Sequence, residues 1–100
     1  MDTYMMMTRL SPEALTKPEA VETLNRQVED RIKRECPEVK WIANYAVLGP
    51  CDYIDIFEAP NSEAATKVSL LVRSFGSAAT ETWIVTPWKR FLQAAKSMKS

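Results

Sequence analysis

The stretch from Gly49 to Pro60 limits what this chain can fold into more than any other part of its sequence. A turn of Gly, Pro, Cys and Asp is followed by the β-branched and aromatic run Tyr53–Ala59, and Pro60 then ends that strand. The run before the turn, Val39–Leu48, has a similar strand-forming composition. The two runs therefore predict a β-hairpin with a short loop at the centre of the fold.

The register of this hairpin decides which side chains share a face of the sheet. We expect Leu48 to pair with Tyr53. The same register places Asn44 opposite Phe57, and alternation along the strands gives two largely apolar faces. One face carries Trp41, Ala43, Tyr45, Val47, Ile54 and Ile56, and the other carries Ile42, Asn44, Ala46, Leu48, Tyr53, Asp55 and Phe57. Because helices cover only one face of a small open sheet, we expect the face of Asp55 to pack against a second subunit, with the reverse assignment as the alternative.

The rest of the chain predicts two more strands and three helices. The strands are Thr3–Leu10 and Ala79–Thr86. The first helix begins at Pro18, is ended by Pro37 and carries the apolar stripe Val21, Leu24, Val28 and Ile32. The second is capped by Asn61 or Ser62 and stops at Gly76. The third begins at Pro87. This order predicts a ferredoxin-like βαββαβ sandwich, an α+β fold with an antiparallel sheet, two helices on one face and an added C-terminal helix. We expect a single domain over residues 1–100.

Composition excludes several classes of function. The formal net charge is zero, so nothing draws the chain to nucleic acid or to an anionic membrane surface. Its longest apolar run, Trp41–Leu48, is far short of the ~20 residues that a membrane helix needs, and no secretory signal is visible, so we expect a cytoplasmic protein. Histidine is absent and the two cysteines form no C-x-x-C motif. We therefore expect no cofactor and no metal site.

Short motifs in the second half of the chain resemble those of the GYD-domain family. They are Gly49–Pro60, the following Asn61–Ala65, Ser74–Gly76 and Thr80–Thr82. Gly49 and Asp52 hold the signature Gly and Asp, whereas Cys51 stands where tyrosine is usual. The resemblance implies a ferredoxin-like fold of the dimeric α/β-barrel kind, in which two sheets pack into a shared barrel. It implies no established activity.

Asp55 is the main candidate for a functional side chain. A carboxylate in mid-strand among apolar neighbours is costly unless it is paired. The first interpretation is a structural pair with an arginine or a hydrogen bond across subunits, and the alternative is a pocket acid or base. Asn44 shares its face and Tyr53 adds a hydroxyl, so we take Asp55, Tyr53 and Asn44 as the candidate catalytic residues. Asp52, by contrast, is expected only to stabilise the turn.

Three aromatic residues, Trp41, Tyr45 and Trp83, are candidates for binding a ligand. Some barrels of the superfamily that the resemblance implies oxidise aromatic substrates without a cofactor and use asparagine, tryptophan and tyrosine to hold them. Buried aromatic residues at strand spacing are more often core or interface residues. Cys51, in an exposed turn, is expected to be a passive thiol.

These observations favour a homodimer, formed through the open sheet face, that binds a small hydrophobic ligand between sheet and helices or at the dimer seam. One alternative is a cofactor-independent oxygenase or isomerase acting on a small aromatic or hydrophobic substrate. In that case Asp55 or Tyr53 would serve as acid or base and Asn44 as a polar anchor. The other alternative is a purely structural or interaction domain.

Overall fold

The computed structural model describes residues 1–76 and 78–98. Its elements are β1 (Asp2–Leu10), α1 (Pro12–Leu15), α2 (Pro18–Glu35), β2 (Lys40–Ala46), β3 (Tyr53–Ala59), α3 (Ser62–Ser74), β4 (Ala78–Val85) and α4 (Trp88–Ser97). The predicted order of strands and helices is confirmed, with the short helix α1 in addition. Sequence reasoning treated Pro12 only as the breaker of β1, whereas Ser11 caps a helical turn there by accepting a hydrogen bond from the Ala14 backbone N–H at 3.3 Å.

The four strands form one antiparallel sheet in the order β2-β3-β1-β4. The two strands that are first and third in the chain therefore lie at its centre, as in the ferredoxin-like fold. Helices α2 and α3 pack on one face and contribute Ile32, Val68 and Val72 to the core. The predicted ferredoxin-like α+β fold is confirmed.

The helices cover the opposite face of the sheet from the one expected. Asp55 and Phe57 lie beneath them, and Ile54 and Ile56 lie on the open face, so the expectation that the Asp55 face is left for a second subunit is wrong. Phe57 has no exposed surface and contacts the rings of Tyr4 and Trp41, with centroids 5.6 Å and 5.2 Å away. Alternation defines two apolar faces but does not decide which one the helices cover, because both offer similar apolar area.

The hairpin register also differs from the expected one. Tyr53 pairs with Ala46 instead of Leu48, and Asn44 pairs with Asp55 instead of Phe57. A bulge between Trp41 and Ala43 then shifts the alternation. Trp41 therefore lies on the Phe57 face, not on the face of Ile54 and Ile56 as expected.

The loop at residues 47–52 is closed in the observed register by a hydrogen bond from the Val47 backbone N–H to the Asp52 carbonyl at 2.9 Å, and it is also fastened to the end of β1. The Asp52 carboxylate accepts a hydrogen bond from the Leu10 backbone N–H at 2.6 Å, and the Asp52 backbone N–H donates to the Thr8 carbonyl at 2.9 Å. Arg9 donates to the Pro50 carbonyl at 2.6 Å. Asp52 therefore has the structural role expected of it.

Cys51 does not lie in an exposed position, as the sequence had suggested. Its side chain is 8% exposed, so the loop carries it inward. Cys36, the other cysteine, is also buried, and burial raises the pKa of its thiol. Both cysteines are free thiols.

The open face and α4 leave much apolar surface uncovered. Tyr45 and Trp83 are 61% and 50% exposed on the open face, and every residue of α4 is exposed. The molecule is 17 Å thick along its shortest axis, and its radius of gyration is 15.4 Å, whereas a compact chain of this length has about 13 Å. Within residues 1–76 and 78–98, no helix has the length and apolar character needed to cross a membrane.

Candidate functional site

A cavity of about 330 Å³ lies between α2 and the helix-covered face of the sheet. Strands β2 and β3 contribute its polar floor, and α2 forms the opposite wall. Its lining residues are Met6, Asn25, Val28, Glu29, Ile32, Lys33, Trp41, Ile42, Ala43, Asn44, Tyr53, Asp55 and Val72. The bulge in β2 positions this floor, because it lets Trp41 and Asn44 face the same side of the sheet.

Asp55 is the most buried polar group at the cavity, with 9% of the residue exposed. The Asn44 side-chain amide donates a hydrogen bond to one oxygen of its carboxylate. The one salt bridge among the described residues joins Arg31 to Glu35, so Asp55 has no basic partner there. The arginine pair considered from the sequence is therefore replaced by an amide of the neighbouring strand.

Burial raises the pKa of the Asp55 carboxyl, and the negative charge of Glu29 adds to this effect, whereas the hydrogen bond from Asn44 lowers it. The pKa of Tyr53 is also raised, first by burial and then by the charge of Asp55. Tyr53 is thus held as a neutral phenol beside the acid at neutral pH. Both shifts make the charged form of each group less favourable than it is in water.

Helix α2 contributes three polar residues to the cavity, Asn25, Glu29 and Lys33. The Asn25 side-chain amide donates to the Glu29 carboxylate at 3.3 Å. Sequence reasoning missed their place in the site. Their four-residue spacing beside the apolar stripe at Val28 and Ile32 was the available signal, since it places them along the border of the buried face of α2.

A second depression of about 330 Å³ adjoins the cavity and shares Asn25, Asn44 and Tyr53 with it. Its other lining residues are Leu10, Pro18, Val21, Glu22, Leu24 and Ala46. The two spaces form a continuous groove along α2, with the polar pair of Asn44 and Asp55 near its middle. We call this space the α2 groove.

The structure brings together the three candidate catalytic residues Asp55, Tyr53 and Asn44, and it adds Trp41 to their surroundings. It does not bring together the three aromatic residues proposed to bind a ligand. Trp41 lines the α2 groove, whereas Tyr45 and Trp83 lie on the open face of the sheet. No group of three Cys, Asp or Glu side chains within the described residues is arranged to hold a metal ion.

The fold and the hydrogen-bonded pair of Asp55 and Asn44 define a small ferredoxin-like α+β domain with a polar site beneath its long helix. The family model described as GYD domain matches residues 4–95. The chain is also 31% identical over 91 residues to a protein of Thermus thermophilus named glutamine synthetase and cystathionine beta-lyase binding protein. That match covers 87% of this chain and 90% of the relative. The chain belongs to the GYD domain family, as the resemblance of its motifs had indicated.

Proposed function

We propose that this protein is a homodimeric binding module that docks onto metabolic enzymes through α4. The observation that carries the proposal is the apolar face of α4, which is exposed along its whole length. Trp88 and Phe91 stack on it with centroids 4.8 Å apart, and both are largely exposed, at 69% and 48%. Leu92 and Ala95 continue the same face at the i+4 and i+7 positions. This spacing is the one by which an amphipathic helix anchors in a partner's groove.

The comparison with the Thermus thermophilus protein suggests which partners to test. The name of that relative states that it binds glutamine synthetase and cystathionine beta-lyase. We propose that the corresponding enzymes of this protein's own organism are its partners. Tryptophan is enriched among the residues that dominate binding energy in interfaces, so Trp88 is the side chain expected to contribute most.

Size-exclusion chromatography and calorimetry with each purified enzyme would test this proposal. We expect a stable complex, and we expect the double substitution of Trp88→Ala and Phe91→Ala to weaken it by more than about tenfold. Gln93→Ala is the matched control, because it truncates an exposed side chain of the same helix outside the aromatic stripe. The proposal fails if neither enzyme binds at micromolar concentration, or if the double variant binds as tightly as the control.

The dimer is proposed from the open face of the sheet. Two copies that meet there would cover Met5, Met7, Ile54, Ile56, Trp83 and Val85 and their equivalents in an isologous interface. Sheets stack about 10 Å apart with interdigitated side chains, which would give the shared barrel that the family resemblance implies. The flat shape of the single chain supports this arrangement.

A second function, binding of a small ligand, is favoured by the α2 groove. It combines an apolar lining with a few polar groups, including the hydrogen-bonded pair of Asn44 and Asp55, the usual composition of a ligand site. It would act alongside enzyme docking, since α4 contributes no residue to the groove. A thermal-shift screen would test it, because a ligand that binds the folded state raises the melting temperature by mass action.

The enzymatic alternative receives less support from the same groove. Asp55 and Tyr53 are close enough to line one space, as an acid–base pair requires. Catalysis at a carbonyl or ring oxygen also needs free donors directed at the developing negative charge. The amides of Asn25 and Asn44 each already donate one hydrogen bond to a carboxylate, which leaves one N–H on each and ties their orientation to those carboxylates.

A further inference from the structure

The polar end of the α2 groove has more hydrogen-bond acceptors than donors. Each of its side-chain amides donates one hydrogen bond to a carboxylate, Asn44 to Asp55 and Asn25 to Glu29. An ionised carboxylate only accepts hydrogen bonds and offers about four lone-pair sites, so each of these acids keeps unused acceptor capacity. The amide carbonyl oxygens of Asn25 and Asn44 are also acceptors. The donors here are the Tyr53 hydroxyl, the Lys33 ammonium and the remaining N–H of each amide, which are fewer than the acceptor sites, so this end of the groove favours a ligand that supplies donors.

The charges along the groove point the same way. Asp55 and Glu29 line the cavity, Glu22 lines the adjoining depression, and Lys33 is the one basic residue among the lining side chains. Lys33 is exposed on α2 and forms no salt bridge with Asp55. A buried carboxylate without a cation is costly, and removal of that cost favours a positively charged ligand.

The remaining wall of the cavity is apolar. It consists of Met6, Val28, Ile32, Trp41, Ile42, Ala43 and Val72. The volume of about 330 Å³ falls at the lower end of the range of small-molecule sites, which is about 300–1,000 Å³. The ligand therefore has room for a cationic nitrogen at one end and a ring or short branched chain at the other.

We infer that the α2 groove binds a small primary amine or amidine with an apolar body, its nitrogen at Asp55 and its apolar part against Trp41 and Val28. This inference rests on the proposed ligand-binding function of the same groove. The ammonium or amidinium group donates to the free Asp55 oxygen and to the Asn44 carbonyl oxygen. Burial of the apolar part next to the ion pair strengthens their attraction by excluding water.

Three probes of similar size test the class of ligand by thermal shift and calorimetry: phenethylamine, 2-phenylethanol and phenylacetate. They share an aromatic body and differ in the charge of the polar end. We expect phenethylamine to bind at least about tenfold more tightly than either of the others, since a charged partner of a buried carboxylate contributes most of the difference. Stronger binding of the alcohol or the carboxylate would overturn the cation assignment and leave ligand binding standing. Binding of none of them at millimolar concentration would contradict both.

Variants then locate the nitrogen. Asp55→Asn keeps an acceptor for the Asn44 amide and removes the charge, so phenethylamine affinity should fall about tenfold or more. Asp30→Asn is the matched control, because Asp30 is exposed on α2 and does not line the groove. Equal affinity of the two variants would overturn the inference.

Lys33→Met provides a test that does not depend on how well Asp55→Asn folds. A cation site should bind phenethylamine equally well or more tightly once Lys33 is removed. An anion site would depend on Lys33, because it is the one basic group among the described residues that line the groove. Loss of phenethylamine binding in Lys33→Met would therefore also overturn the inference.

Discussion

The side-chain amide of Asn44 donates a hydrogen bond to the carboxylate of Asp55, its direct partner across the pair of β2 and β3. The bond follows from the register of the hairpin, which is closed by the hydrogen bond from the Val47 backbone N–H to the Asp52 carbonyl, and the bulge near Ile42 then brings Trp41 to the same face. A slip of one residue would turn Asn44 to the open face and leave the acid without its donor. Register, bulge and polar site are therefore one structural feature.

Loss of this donor should destabilise the protein. Asn44→Ala leaves the buried Asp55 oxygen without a hydrogen bond, so we expect the free energy of unfolding to fall by about 1–3 kcal/mol at neutral pH. Urea denaturation followed by circular dichroism measures the change. Asn25→Ala is the control, because its amide makes an exposed bond within one helix, and its effect should stay within about 0.5 kcal/mol. Equal effects of the two variants would mean that the Asn44 bond adds no stability.

The stability of the wild type should depend on the titration of Asp55. Its pKa is raised in the folded state, so its stabilising contribution is complete below the unfolded value of about 3.9 and is lost as the pH rises through the folded pKa. Asp55→Asn does not titrate, so its stability relative to wild type should increase between acid and neutral pH. Glu29 and Lys33 of α2 line the same cavity as Asp55, Tyr53 lies two residues before it on the same face of β3, and all three are unchanged in this comparison.

Urea melts of both proteins across this pH range measure that difference. Asp30→Asn controls for the general loss of one acidic charge, because Asp30 is exposed on the same helix. Its profile should follow that of the wild type. A constant difference between Asp55→Asn and wild type at all pH values would show that Asp55 keeps an ordinary pKa in the folded protein.

The carboxylate of Asp52 should matter as a hydrogen-bond acceptor, not as a charge. It accepts from the Leu10 backbone N–H at 2.6 Å, where β1 ends. Asp52→Ala should lower the free energy of unfolding by about 1–3 kcal/mol, because that N–H loses its partner. Asp52→Asn keeps an acceptor and should lose less than half as much. If the two variants were equally destabilised, the charge and not the hydrogen bond would be what stabilises the loop.

Much of the fold could be predicted from the sequence because strand composition, helix periodicity and breakers agree locally. Tyr53–Ala59 was predicted with its observed bounds, and the other strands differ by one or two residues at their ends. The covered face could not be predicted, because Ile54 and Ile56 offer the helices as plausible an apolar surface as Phe57 does. Which face the helices cover depends on packing between elements that are distant in the sequence, and the residue pattern of one strand carries no information about that packing.

Only the part of the site that lies on β2 and β3 could be predicted from the sequence. Asp55, Asn44 and Tyr53 were found because a polar group in an apolar strand is conspicuous. Asn25 was missed, because a polar residue near the edge of a helical stripe is ordinary on a solvated surface. The bulge that turns Trp41 toward the groove has no local sequence signal such as glycine.

The open face of the sheet should hold two subunits together. Ile56 lies on this face in β3, next to Met5 of β1 and Ala43 of β2. Ile56→Lys would bury an unpaired charge in each subunit, so we expect the dissociation constant to rise at least about 100-fold, equivalent to about 2.8 kcal/mol. Sedimentation at micromolar concentration should then show a dimer for the wild type and the 11.4 kDa monomer for the variant. Leu70→Lys, which replaces a 58% exposed residue of α3, is the control and should stay dimeric. A monomeric wild type would contradict the proposed dimer. A dimeric Ile56→Lys variant would show that the interface does not lie on this face.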